Sequence, residues 1–298
     1  MAASSAPAKS LNTIEGDREL TVRICDITAA GAMLQRVLEL GERAAKIGHV
    51  CVDTASYFRA REKGRGLECS AERGIGSWNE STADTKMDPT SIAALLCAPI
   101  TAILTTITSR AGSLTSLTWP ASSHTDRRFT RPLSFWEALY THAPSLEKLH
   151  LDFFRHEVQV FSRPPAGVKF GKLKELRLDA SSAHGDGGST VDELLGSCEN
   201  IEVLGFKWPP CDLPSCQIKG VSWGWTFPKL RQLSILGWNI APAAYTEFLG
   251  RHPNIRYLDE RIDGPYDEDG KGYTTVQLPT TALPNLSTLK KAYTYTWS

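Results

Sequence analysis

The sequence lacks an excess of charge of either sign. Its 298 residues include 33 lysines and arginines and 33 aspartates and glutamates, so the formal net charge is zero when histidine is neutral. Nucleic acids and anionic membrane surfaces hold proteins largely through an excess of positive charge. The balance of charges therefore predicts neither nucleic acid nor a membrane as a partner.

The sequence also lacks the cysteine pattern of a disulfide framework or a zinc site. Its seven cysteines are odd in number and irregularly spaced, and Cys211 and Cys216 have no second pair to complete a metal site. The first ten residues contain no apolar core of the kind found in secretory signal peptides. We therefore expect reduced thiols, no metal, and a location in the cytoplasm or nucleus.

No catalytic or nucleotide-binding motif is recognisable. The glycines within residues 64–76 lack the lysine and serine that end a P-loop, and the seven histidines indicate no nucleophile and base. Residues 267–270, with the sequence DEDG, match only the start of a calcium loop and predict a hairpin tip. We expect no catalytic residues and no cofactor; the alternative is an enzyme with an unrecognised site on the same fold.

One uncharged stretch, residues 89–109, is long enough to cross a bilayer. Its large aliphatic side chains recur at helical spacing, and threonines occupy the other faces. This pattern predicts a helix that packs one side against a core, not a membrane span. Because Pro99 lies inside the stretch, one kinked helix and two shorter elements are both compatible with it.

What the sequence does contain is a short repeated phrase. An aliphatic residue is followed three positions later by another and usually, two positions further on, by a third apolar residue. The copies are Leu114/Leu117/Trp119, Leu146/Leu149/Leu151, Leu173/Leu176/Leu178, Ile201/Leu204/Phe206, Leu230/Leu233/Ile235, Ile255/Leu258 and Leu286/Leu289. Their starts lie 25 to 32 residues apart, which is the period of a repeat array and resembles that of leucine-rich repeats.

Upstream of these copies, Leu20 and Val22 alternate as in a strand, and Ile47, Val50 and Val52 reproduce the phrase. Helical patterns precede several copies, at residues 135–139, 191–195 and 243–249. The alternation predicts an α/β fold: a leucine-rich-repeat solenoid, or horseshoe, with a parallel concave sheet and convex helices.

The predicted domain organisation is simple. We expect residues 1–17 to be a disordered lead and residues 18–298 to form a single leucine-rich-repeat domain, with residues 59–88 inserted as a polar loop. Because the ends of a repeat array must be covered, residues 19–58 and 293–297 are the candidate caps. We expect a monomer.

The third, fifth and seventh positions of the phrase should project away from the core and line the concave face. The candidate partner-binding residues there are Lys148, His150, Asp152, Glu175, Arg177, Asp179, Lys207, Tyr257, Asp259 and Arg261. The middle repeats place mixed charges on neighbouring strands, for instance Lys148 beside Glu175 and His150 beside Arg177. One interpretation is a solvated sheet face with cross-strand pairs worth roughly 0.2 to 1 kcal/mol each. The other is a charged groove that binds a protein partner.

Four tryptophans, Trp208, Trp223, Trp225 and Trp238, cluster in one enlarged repeat. Large aromatic side chains at this density predict a local core. The alternative places Trp223 and Trp225 on one face of a strand as an exposed apolar patch.

Three segments carry a resemblance to a known family. Ala143-Pro144-Ser145-Leu146, Arg251-His252-Pro253-Asn254-Ile255 and Leu283-Pro284-Asn285-Leu286 each place a proline between a helix end and a leucine strand. In this placement of proline between helix and strand, residues 90–290 resemble F-box and leucine-rich-repeat proteins, especially divergent fungal ones. The resemblance implies a non-enzymatic receptor whose repeats bind a substrate protein and whose F-box binds the adaptor of a cullin-RING ubiquitin ligase.

The F-box itself is not visible in the sequence. Residues 1–60 contain neither the Leu-Pro pair that opens that motif nor a tryptophan. A stand-alone binding protein unrelated to ubiquitination is therefore the alternative function.

Overall fold

The structure, a computed structural model, describes residues 18–23, 41–53, 89–119, 131–153, 165, 167–180, 192, 194–207, 222–236, 242–261 and 283–291. Several predictions fall outside these residues: the disordered lead, the polar loop at 59–88, the hairpin tip at 267–270, the cap at 293–297, Cys211 and Cys216, and Trp208 and Trp238.

The described strands form one parallel sheet whose strand order follows the order of the chain. They are β1 (Glu19–Arg23), β2 (His49–Asp53), β3 (Ser116–Trp119), β4 (Lys148–Phe153), β5 (Glu175–Ala180), β6 (Val203–Lys207), β7 (Gln232–Leu236), β8 (Tyr257–Arg261) and β9 (Thr288–Lys291). Each copy of the repeated phrase supplies one strand. The predicted α/β class and parallel sheet are confirmed, whereas the curvature of a horseshoe stays a prediction.

The helices that the structure describes from end to end lie between strands along the chain. They are a 3-10 helix (Gly41–Lys46), α1 (Pro89–Ser109), α2 (Leu133–Tyr140) and α3 (Pro242–Arg251). α2 and α3 confirm two of the helices predicted from the apolar spacing. Of the third, predicted at 191–195, the described residues 192 and 194–196 are helical.

The register aligns the same phrase position in every strand. Leu149 of β4, for example, lies opposite Leu176 of β5, which lies opposite Leu204 of β6. Two rows of mostly apolar side chains therefore cross the sheet on its core side, and every one named here except Leu289 is buried. The first row is Leu20, Val50, Leu117, Leu149, Leu176, Leu204, Leu233, Leu258 and Leu289, and the second includes Val22, Val52, Trp119, Leu151, Leu178, Phe206 and Ile235.

A backbone hydrogen-bond pattern recurs where neighbouring strands begin. The Thr115 carbonyl accepts N–H bonds from Glu147 and Lys148 at 2.7 and 3.0 Å. The Arg231 carbonyl likewise accepts from Arg256 and Tyr257, at 2.8 and 3.1 Å. Because every neighbouring pair of strands repeats this arrangement, the turns that enter the strands are stacked in the same register as the strands.

Residues 89–109 form one helix that continues through Pro99, so the alternative of two shorter elements is wrong. Its buried side chains include Ile100, Ile103, Leu104 and Ile107, and α1 packs against α2 and the 3-10 helix. The prediction of one core-facing side is confirmed for these residues. No helix within the described residues combines the length and apolar character needed to cross a membrane.

The described tryptophans of the enlarged repeat are buried, with Trp223 4% and Trp225 8% exposed. The Trp223 ring lies 6.2 Å from Phe206 and 5.5 Å from Phe248, measured between ring centroids. The core interpretation is confirmed for this pair. The strand assumed by the alternative is wrong, because residues 222–227 form no strand and Trp223 adopts a φ of 50°.

Candidate functional site

The side of the sheet away from the apolar rows carries polar side chains, and we call it the polar sheet face. Alternation along each strand places them there. Its members on β3 to β9 include Ser116, Thr118, Lys148, His150, Glu175, Arg177, Asp179, Val203, Gly205, Lys207, Gln232, Ser234, Tyr257, Asp259, Thr288 and Lys290. Of the ten predicted site residues, Asp152 and Arg261 occupy strand positions in the same register, but their side chains are outside the description.

Glu175 lies at the centre of an ion-pair cluster on β4 and β5. Its Oε2 is 3.2 Å from Lys148 Nζ, and its Oε1 accepts a bond of 2.7 Å from Arg177 Nε. Burial alone would raise the pKa of Glu175, but the hydrogen bonds and charges of Arg177 and Lys148 outweigh it and hold the pKa below its ordinary value. The predicted pairing of Lys148 with Glu175 is confirmed.

His150 joins the same cluster by a diagonal contact. It lies opposite Arg177 in the register, as predicted. Its Nε2, however, pairs with Asp179 Oδ2 at 3.2 Å, and the two side chains are 20% and 19% exposed. The cluster on β4 and β5 therefore presents both charge signs within two strands, each group held by a neighbour.

The position next to Arg177 is a glycine, and this makes room for the arginine stem. Gly205 lies opposite Arg177 in the register of β5 and β6. A Cβ at Gly205 would come within 3.2 Å of Arg177 Cγ. The sequence places Gly205 on this face, but the close approach of the arginine stem became visible only in three dimensions.

A second group of predicted residues lies on β8 and β9. The Tyr257 hydroxyl donates to Asp259 Oδ2 at 3.5 Å, and Lys290 Nζ lies 5.5 Å from the centroid of the Tyr257 ring. That distance is within cation–π range. An aromatic ring, a carboxylate and an ammonium group therefore share one small area.

The structure does not gather all the predicted residues into one cluster. β6 and β7 separate the two groups, and the polar-face side chains there are mostly uncharged: Val203, Gly205, Gln232 and Ser234. Lys207 is exposed at the end of β6, opposite Asp179. The face thus has a charged cluster on β4 and β5, mostly uncharged side chains on β6 and β7, and an aromatic side chain between charged groups on β8 and β9.

Two features were missed from the sequence. A glutamate, Glu260, occupies a position of the second apolar row and accepts a hydrogen bond from the Tyr245 hydroxyl. Basic residues also gather at the edge where β7 to β9 begin. The signal for the second feature was the repeated phrase itself, whose second position holds Arg231 and Arg256 in consecutive copies.

The described residues offer no obvious metal centre, since no three histidine, cysteine, aspartate or glutamate side chains among them come close enough to share an ion. The polar sheet face instead offers hydrogen-bond donors, acceptors and charges on a regular backbone. Comparison of the chain with models of known protein families finds no match, and comparison with curated proteins finds no relative.

Proposed function

We propose that this chain is a non-enzymatic protein-interaction scaffold that binds a protein partner on the polar sheet face. The observation that carries the proposal is the cluster of Lys148, Glu175, Arg177, His150 and Asp179, which holds both charge signs in fixed positions. Side chains held by neighbours lose less freedom on binding, so more of each contact contributes to affinity.

The proposed architecture is a leucine-rich-repeat solenoid in which the polar sheet face is concave. Three observations support it: one strand per repeat, sequential strand order, and the recurring hydrogen bonds between turns. Helices have a diameter of about 10 Å or more, whereas neighbouring strands are about 4.8 Å apart. Stacking the two at one period makes the helical side longer, so the sheet side curves inward.

The competing interpretation is a solvated sheet face whose ion pairs only stabilise the fold. Exposed and half-exposed pairs contribute little to stability, typically about 0.2 to 1 kcal/mol. Residues at the centre of a protein interface cost far more affinity when truncated, about 2 kcal/mol or more. Stability and binding should therefore respond very differently to substitutions in the central cluster.

To test the proposal, the tagged chain is used to capture a protein partner. The affinity of that partner is then measured for the wild type and for two double variants. Arg177→Ala with Asp179→Ala removes one cation and one anion from the polar sheet face. Lys169→Ala with Glu199→Ala removes the same two charges from an exposed pair, 4.0 Å apart, that lies off this face.

We expect the first variant to weaken binding at least roughly tenfold, with little change in melting temperature. We expect the control variant to bind like the wild type. Equal binding by all three proteins would place the partner elsewhere, and an equal loss in both variants would indicate a general effect of charge.

We further propose that the captured partner is a substrate of a ubiquitin ligase, for which the chain is the receptor. The placement of proline between helix ends and leucine strands, which resembles that in F-box and leucine-rich-repeat proteins, supports this receptor role. Co-purification with the ligase adaptor tests it. Capture of a partner without the adaptor would favour the stand-alone binding protein and leave the scaffold proposal intact.

A further inference from the structure

A second polar surface lies at the sheet edge where β7, β8 and β9 begin. It is a groove of about 320 Å³, and we call it the basic groove. Its lining residues are Pro228, Lys229, Arg231, Asn254, Arg256 and Asn285. All six are exposed, three are cationic, and none is acidic.

The two arginines of the basic groove are direct neighbours. The Arg256 N–H donates to the Arg231 carbonyl at 2.8 Å, so both residues occupy the same position in consecutive turns. Like charges on adjacent strands repel each other. Within the described residues neither guanidinium has an ion-pair partner.

In the turns that enter β4 and β5, by contrast, the charges at the same position neutralise each other. Lys174 Nζ lies 2.8 Å from Glu147 Oε2. The hydrogen bond and charge of Glu147 raise the pKa of Lys174, and the charge of Glu202 adds to this effect. Glu147, Lys174, Glu202 and Arg231 occupy the same position in consecutive turns and alternate in sign, and Arg256 breaks the alternation.

The framework beneath the cations is held by side-chain bonds to the turns. Asn254 Nδ2 donates to the Pro228 carbonyl at 3.3 Å, and Asn285 Nδ2 donates to the Pro253 carbonyl at 3.0 Å. Lys229 Nζ donates to Asn200 Oδ1 at 2.7 Å. The positive charges thus project from turns whose positions are fixed to one another.

We propose that the basic groove binds an extended acidic segment of the protein partner, with its carboxylates beside Lys229, Arg231 and Arg256. This inference rests on the proposed function, because it names the chemistry of one part of that partner. Small organic ligands need an enclosed and largely apolar pocket, whereas this groove is open and its lining is mostly polar. Nucleic acid is a less suitable ligand, because the groove has only three cations and the chain has a net charge of zero.

The test uses a fluorescein-labelled peptide of alternating glutamate and serine, with a glutamine and serine peptide as its neutral match. Fluorescence anisotropy is measured at low ionic strength, where exposed charges are screened least. The two variants are Arg231→Gln with Arg256→Gln, and Lys169→Gln with Lys172→Gln. Both lower the net charge by two at exposed positions, but only the first lies in the basic groove.

We expect binding of the acidic peptide to the wild type and to the lysine variant, and a roughly five- to tenfold loss in the arginine variant. Equal losses in the two variants, equal binding of the neutral peptide, or equal competition by inorganic phosphate or a single-stranded oligonucleotide would each overturn the inference. Arg177→Ala with Asp179→Ala should leave peptide binding unchanged, so failure here and failure of the proposed function are separate results.

Discussion

Two buried histidines connect helices to strand entries through their ring nitrogens. His252 Nε2 accepts the N–H of Phe227 at 2.8 Å, and its Nδ1 donates to the Phe248 carbonyl at 2.6 Å. His142 Nδ1 faces the N–H of Leu114 at 3.4 Å, and its Nε2 donates to the Leu104 carbonyl at 3.0 Å. Each ring accepts a hydrogen bond from a backbone N–H, so each must be neutral.

Burial lowers the pKa of His142 and His252 and outweighs the opposing effect of the carbonyl each ring contacts. As pH falls below about 6.5, the unfolded chain therefore binds protons before the folded one does. The free energy of unfolding should decrease from that pH downwards, by at most about 1.4 kcal/mol per pH unit for each histidine.

Urea unfolding between pH 7 and pH 5 measures this dependence. We expect the wild type and a His49→Gln control, altered at an exposed histidine, to share the same slope. His142→Gln with His252→Gln should lower stability at pH 7 and flatten the slope. An unchanged slope in the double variant would show that other groups set the acid sensitivity.

The buried pair of Tyr245 and Glu260 places a polar contact within the second apolar row. The Tyr245 hydroxyl donates to Glu260 Oε1 at 2.5 Å, a length typical of a bond to a charged oxygen. Burial, together with the charge and hydrogen bond of Glu260, raises the pKa of Tyr245 well above its ordinary value. The phenol therefore remains a donor at any physiological pH.

Tyr245→Phe should lower the free energy of unfolding by about 1 to 3 kcal/mol, because it removes a donor from a buried carboxylate. Adding Glu260→Leu removes the carboxylate and gives the position an apolar side chain, as β7 has there in Ile235. The double variant should therefore be more stable than Tyr245→Phe alone in thermal unfolding. A double variant less stable than the single one would contradict this account.

At the scale of elements, one glycine just after a helix and another inside a helix have opposite roles. Gly112 follows α1, where its N–H caps the helix by donating to the Ile107 carbonyl at 2.9 Å. A Cβ there would lie 2.9 Å from the Ala45 carbonyl oxygen and 3.0 Å from Ile107 Cγ2. Gly250, inside α3, has no atom within 4 Å of such a Cβ.

Gly112→Ala should therefore destabilise the protein by about 1 to 3 kcal/mol, since backbone atoms would have to move. Gly250→Ala should stabilise it by up to about 1 kcal/mol, because alanine favours the helical state. Chemical denaturation of both variants measures the difference. Equal stability of the two would mean that α1 and the 3-10 helix do not pack as closely as described.

The elements were predictable to the extent that they follow apolar periodicity. Each copy of the phrase forms a strand, and the spacing of Phe135, Trp136 and Leu139 identified α2. Pro99 suggested a possible break in the helix, because proline has no backbone N–H to donate. The helix nevertheless continues through it. Trp223 and Trp225 alternated without forming a strand, since alternation alone does not supply a pairing partner.

At the scale of the whole molecule, the period predicted the strand order and the register, and through them most of the polar sheet face. It could not predict which charges pair. His150 lies opposite Arg177 but pairs diagonally with Asp179, and Arg177 pairs with Glu175 of its own strand. The basic groove was also hidden, because it is built from turn positions that become neighbours only after the repeats stack.

The central claim is that a protein partner lies on the polar sheet face, and site-specific photo-crosslinking tests it most directly. Benzoylphenylalanine is placed at Lys207 and Gln232 on this face, and at Glu137 on α2 and Glu247 on α3, all exposed positions. We predict that the captured partner crosslinks to the first two positions and not to the helical ones. Crosslinks from Glu137 or Glu247, with none from Lys207 or Gln232, would contradict the claim.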